Sequence, residues 1–123
     1  MATLINWQAP DGCTLHFGVY QHEGQWNHVS GIYMFCRQES NGSYTPIYIG
    51  KAASLKDRLP LHEQWNPAVR KGAGSVHAAV VPQERDRDYF ERCLIQEFGP
   101  ELNVHHKDSI GLGMISSLPF SLR

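Results

Sequence analysis

No stretch of this chain reaches the ~20 consecutive apolar residues that a membrane-crossing helix needs, so a helical membrane span is excluded. The opening residues, Met1-Ala2-Thr3-Leu4-Ile5-Asn6-Trp7, have neither a basic start nor a long apolar run, which argues against a secretory leader. Cysteine is scarce. Cys13, Cys36 and Cys93 cannot all pair within one chain, and no Cys-x-x-Cys or Cys/His spacing suggests a zinc site. Reduced thiols and a cytoplasmic location are the expectation. Internal repeats and linker-like segments are also missing.

Positive charge is the other shortage. The formal net charge is −1, without the broad basic footprint typical of nucleic-acid binders. Its distribution is uneven, however. Before Gly31 only Asp11 and Glu23 are charged, whereas Lys51, Lys56, Arg58, Arg70 and Lys71 outweigh Asp57 and Glu63 in the middle third. A phosphate-binding surface is therefore expected there, with weak non-specific affinity. Seven histidines can add charge at lower pH.

What is present suits one globular domain: 123 residues, 41% of them hydrophobic, give one core's worth of apolar material. Thr14–Tyr20 alternates like a strand, within a segment read as an extension over residues 1–29. Ile32-Tyr33-Met34-Phe35-Cys36 and Tyr44-Thr45-Pro46-Ile47-Tyr48-Ile49 flank a Ser40-Asn41-Gly42-Ser43 turn, which spells a β-hairpin. Ser54 can cap a helix over Leu55–Leu59 that Pro60 should end, kink or split. A second short helix is expected from Asn66-Pro67, with Asn66 as its cap.

Ser75–Val81, short and apolar, suits the centre of a sheet. A helix from Asp86 or Asp88 to Phe98 follows, with Phe90, Leu94 and Phe98 stacked at four-residue spacing and Gly99-Pro100 as its stop. The expected class is α+β, a three-stranded antiparallel sheet flanked by helices. Its domain spans residues 30–104, with a tail over residues 105–123 whose Ile110–Leu122 stretch could close the fold.

Gly31-Ile32-Tyr33 and Tyr48-Ile49-Gly50 stand on the two strands of that hairpin, followed in order by Lys51, Arg58, Glu91 and Asn103. Over Gly31 to about Asn103 the chain resembles the catalytic domain of GIY-YIG nucleases, a family that includes the bacterial excision-repair incision subunit and homing endonucleases. The resemblance implies a single-domain, metal-dependent endonuclease that hydrolyses DNA by a one-metal mechanism, leaving 5′-phosphate and 3′-hydroxyl ends.

In that reading Glu91 is the ligand of Mg²⁺ or Mn²⁺, a hard cation that retains several waters when one carboxylate holds it. Arg58 grips the scissile phosphate and Lys51 is a second cation. A tyrosine, Tyr48 in preference to Tyr33, relays a proton from the attacking water. With an unperturbed pKa of ~10 it needs electrostatic help.

His62, four residues beyond Arg58, is a candidate base or phosphate ligand, and a packed histidine is the competing reading. Asn103 braces the site. Lys51, Lys56, Arg58, Trp65, Arg70 and Lys71 are the expected nucleic-acid contacts.

DNA is the expected partner, with no membrane, a monomer or weak dimer, and a partner protein as one source of targeting. Two alternatives stand beside this: a non-catalytic nucleic-acid- or protein-binding module on the same fold, and an RNA-cleaving hydrolase.

Overall fold

The structure, a computed structural model, describes residues 4–103. The tail over residues 105–123, with its Ile110–Leu122 segment, lies outside the described residues. The elements run β1 (Leu4–Gln8), β2 (Thr14–Tyr20), β3 (Gly31–Gln38), β4 (Tyr44–Ala52), α1 (Leu55–Arg58), α2 (Trp65–Arg70), β5 (Ser75–Val80) and α3 (Glu84–Phe98).

All the strands join one antiparallel sheet in the order β1-β2-β5-β3-β4. The expected three-stranded sheet is thus corrected to five. The two additional strands come from the segment read as an extension. β2 pairs Gly18 with Ala78 and Tyr20 with Val76, so β5 sits at the centre. The reason is burial on both faces: Val76, His77, Ala78 and Ala79 are all buried, and a strand of that kind needs a neighbour on each edge. β1 covers the outer edge of β2 in turn.

Side-chain alternation divides the core into two layers. Ile32, Met34, Cys36 and Ile49 face α3 with Trp7, Phe17, Phe90 and Leu94. Tyr33 and Phe35 face the opposite side with Leu55, Leu59, Ala68 and Val76. The β3–β4 register shifts after Phe35, and Pro46 lies just beyond on an outer strand, where proline is tolerated.

The signature glycines have steric explanations. A Cβ on Gly31 would collide with the Ala79 carbonyl on β5, and one on Gly50 would come within 2.5 Å of the Tyr33 hydroxyl. Gly31 keeps two central strands close, and Gly50 leaves room for the ring opposite it.

Ser54 caps α1, accepting the Asp57 N–H at 3.3 Å, and Leu59 closes it. α2 begins two residues earlier than expected, with Gln64 at the cap in place of Asn66, which lies inside the helix. Gly99, at φ 52°, ends α3. Phe90 and Leu94 are buried as the spacing predicts, but Phe98 is 41% exposed because α3 outruns the core there. The spacing missed Arg87, which is buried and donates from Nη1 to the carbonyls of Val81 and Pro82 at 2.9 Å, tying α3 to the end of β5.

Candidate active site

Tyr33 and Tyr48 lie on the same face of the hairpin as diagonal neighbours, since Tyr33 pairs with Gly50 and Tyr48 with Phe35. Their ring centroids are 6.3 Å apart. His62, from the turn between α1 and α2, closes the group from above with its side chain fully buried. Its Nδ1 accepts the Gln64 N–H at 3.0 Å, so a neutral ring carries its proton on Nε2.

Nε2 therefore donates to the Tyr33 hydroxyl oxygen, 2.6 Å away. Tyr48 packs against the same imidazole, its ring centroid 5.1 Å from that of His62. The donor pair is thus His62 to Tyr33, with the Tyr48 ring packed beside it.

Burial dominates the electrostatics of this group. It pushes the Tyr33 phenol far above its ordinary value, with Tyr48, Glu63 and Glu91 adding to the shift and Arg58 opposing it. It also raises Tyr48, with the Arg58 charge foremost in opposing the shift. His62 is pushed down to about 4 by burial and then by the Arg58 charge, so the ring is neutral at pH 7.

On the adjoining edge Lys51 shares the Ile49 face and meets α3. Its ammonium pairs with Asp88 and stands 3.9 Å from Glu91 Oε1. That pairing, the Asp88 hydrogen bond first, raises Lys51. The Glu91 side chain is only 24% exposed, and no hydrogen bond reaches its oxygens among the described residues. Burial raises its pKa, with Lys51 pulling the other way.

A half-buried carboxylate left short of donors suits a divalent cation. Among the described residues no group of three or more His, Cys, Asp or Glu could hold an ion alone. A single carboxylate with its open coordination positions fits Mg²⁺ or Mn²⁺ and not a closed protein cage.

Arg58 lies beside the tyrosines, and both of its terminal nitrogens donate to Glu63 at 2.8 Å. Lys71 pairs with Glu101 at 2.7 Å. Lys56 and Arg70 are exposed without an acidic partner among the described residues. Trp65 is half-buried, with its ring stacked on His22 at 4.3 Å and its edge on Phe35.

His22 is the supporting residue that sequence reasoning missed. It reaches in from the loop after β2 and donates from Nε2 to the Leu59 carbonyl at 2.8 Å. Among seven histidines nothing in the spacing distinguished it, because its partners lie far away in sequence. Asn103 makes a two-way bond with the β4 backbone, accepting Ile49 N–H at 2.7 Å and donating to the Ile49 carbonyl at 2.9 Å. It occupies the outer edge of β4 as another strand would.

No family model matches the chain. Among curated proteins it is similar to the UvrABC system protein C of Thermotoga maritima, 37% identical over 83 residues, and to that of Aquifex aeolicus, 32% identical over 91 residues. The matches take in 64% and 69% of this chain but only 14% and 15% of those proteins.

Among solved structures it is similar to the GIY-YIG N-terminal endonuclease domain of UvrC from Thermotoga maritima bound to magnesium as its catalytic divalent cation. That match has a TM-score of 0.50 and 31% identity, over 62% of this chain and 84% of that one. A point mutant of the same domain, also bound to its catalytic divalent cation, matches at a TM-score of 0.50 and 30% identity, with 83% of that chain covered. The chain belongs to the GIY-YIG nuclease family. No helix among the described residues is long and apolar enough to cross a membrane.

Proposed function

We propose that this protein is a metal-dependent endonuclease that hydrolyses DNA phosphodiester bonds, leaving 5′-phosphate and 3′-hydroxyl ends. The observation that carries the reading is the juxtaposition of a polarised Tyr–His chain, a guanidinium and a donor-starved carboxylate at one edge of the sheet. Such a set can accept a proton, bind a phosphate and hold a hard cation together.

Glu91 would hold the Mg²⁺ or Mn²⁺. When bound, the cation supplies Lewis-acid neutralisation of the charge that builds on the phosphoryl oxygens. Arg58 binds the scissile phosphate and orients it by two parallel hydrogen bonds. Tyr48, as its phenolate, takes the proton of the attacking water, and the Arg58 charge lowers the cost of that phenolate against burial.

His62 is a positioning residue in this scheme and not the base. Both of its ring nitrogens are engaged, one accepting and the other fixing the Tyr33 hydroxyl. Lys51 adds positive charge beside Glu91, and Asn103 fixes the strand that carries Tyr48. Lys56, Arg70 and Lys71 would follow the backbone away from the cut, and Trp65 would contribute its exposed margin to a base. Residues 30–104 form the catalytic unit, with residues 1–29 bracing it. The protein acts in the cytoplasm as a monomer or weak dimer, targeted by a partner or by its own surface.

The test is cleavage of labelled single-stranded, duplex and branched DNA, with a matched RNA strand, in Mg²⁺, Mn²⁺ or EDTA. Metal-dependent cutting of DNA with ligatable 5′-phosphate ends is the expected result. Cutting of RNA alone would replace DNA as the substrate. Folded protein that binds but cuts nothing would reduce the chain to a binding module.

A further inference from the structure

The guanidinium assigned to the scissile phosphate is already occupied. Arg58 Nη1 meets Glu63 Oε1 and Nη2 meets Oε2, each at 2.8 Å. This two-bond fork is the geometry with which a guanidinium holds two oxygens of a phosphate. A planar group cannot offer the same pair of nitrogens to two anions at once.

Glu63 is also held in place by its surroundings. It follows His62, whose buried ring is fixed by Tyr33 and by the Gln64 N–H. The carboxylate itself remains accessible, with 62% of its side chain exposed against 39% for Arg58. The ion pair keeps its acid ionised: the Arg58 hydrogen bond, foremost, holds the Glu63 carboxyl down at about 2.

We infer that Glu63 is a built-in competitor for the substrate phosphate, holding the Arg58 fork in the free protein and yielding it only when a phosphodiester displaces it. The inference rests on the phosphate-binding role given to Arg58 above and deepens it by naming what controls access to that residue.

Exchanging one anion for another on the same fork gains little by itself. A strand that offers backbone charge alone is therefore bound weakly. A substrate held by further contacts shifts the exchange in its favour. Two neighbouring cations follow the same pattern, Lys51 with Asp88 and Lys71 with Glu101, which gives the near-neutral net charge a local meaning. Among these pairs, Arg58–Glu63 matches the geometry of a bound phosphate on both of its nitrogens.

The test uses Glu63→Gln, which keeps length and polarity but removes the charge, with Glu63→Ala as a second variant. Affinity for a fluorescent DNA oligonucleotide is measured by anisotropy in EDTA at low salt, and steady-state cleavage in Mg²⁺. Both variants are expected to bind about two- to fivefold more tightly than wild type, the range an exposed ion pair supports, and to lower KM similarly with little change in kcat. The gain should vanish in an Arg58→Gln background.

Unchanged or weaker binding by both variants, with wild type still cutting DNA, would overturn the inference and leave the nuclease reading intact. An equal gain in the Arg58→Gln background would also overturn it, by showing that only net charge was felt. DNA neither bound nor cut by wild type and variants alike would overturn the inference together with the reading beneath it.

Discussion

Glu91 is a carboxylate whose surroundings oppose its own charge. Burial raises it, and Lys51, the one cation near it among the described residues, is already bonded to Asp88. Glu91→Gln is therefore expected to keep or raise the unfolding temperature at pH 7, because it removes an under-solvated charge. A clear fall would show that the carboxylate is structural. The tyrosine–histidine group makes a second prediction. Tyr48→Phe should lower kcat by ~10²–10⁴-fold, the usual worth of a general base. His62→Gln, which keeps an N–H near Tyr33, should retain more kcat than His62→Phe, which leaves that hydroxyl unpartnered. Equal loss in the two histidine variants would contradict the donor assignment.

At the scale of elements, short-range chemistry decides how much can be read from the sequence. The hairpin, the Ser54 cap and the Gly99 stop rest on residues adjacent in the chain, and each was legible there. β1 was not, because a five-residue strand carries too little alternation and owes its place to β2. The inventory of candidate side chains was legible through the spaced signature. Their partners were not: Asp88 on Lys51 and His22 on Trp65 come from distant segments, and Glu63 meets Arg58 only through the turn after α1. Gly31→Ala tests the packing directly. Its new methyl meets β5 backbone that cannot rotate away, so a loss of about 1–3 kcal/mol is expected in denaturant unfolding. A neutral outcome would mean that β3 and β5 separate easily.

For the whole molecule, two buried histidines set the acid response. Burial pushes both His62 and His77 down to about 4. Unfolded histidines, near their ordinary value, bind protons that the folded ones refuse. Stability is therefore full above ~6.5 and falls as the pH drops from there toward the folded value, by up to about 1.4 kcal/mol per pH unit for each ring. Glu91, being raised, acts in the opposite direction, and the lowered carboxylates of Glu39, Glu63 and Glu101 matter only at lower pH. Urea unfolding at pH 7 and pH 5 should thus show a marked loss of stability at the lower value, and equal midpoints would refute the burial of the rings.

The central claim is that one edge of this sheet cuts DNA through a cation held by Glu91. The most direct measurement compares wild type with Glu91→Gln for Mg²⁺-dependent cleavage and DNA affinity on the same substrate. The account predicts cutting by wild type that EDTA abolishes, and a folded variant that still binds but no longer cuts. Equal cutting by both proteins would contradict it.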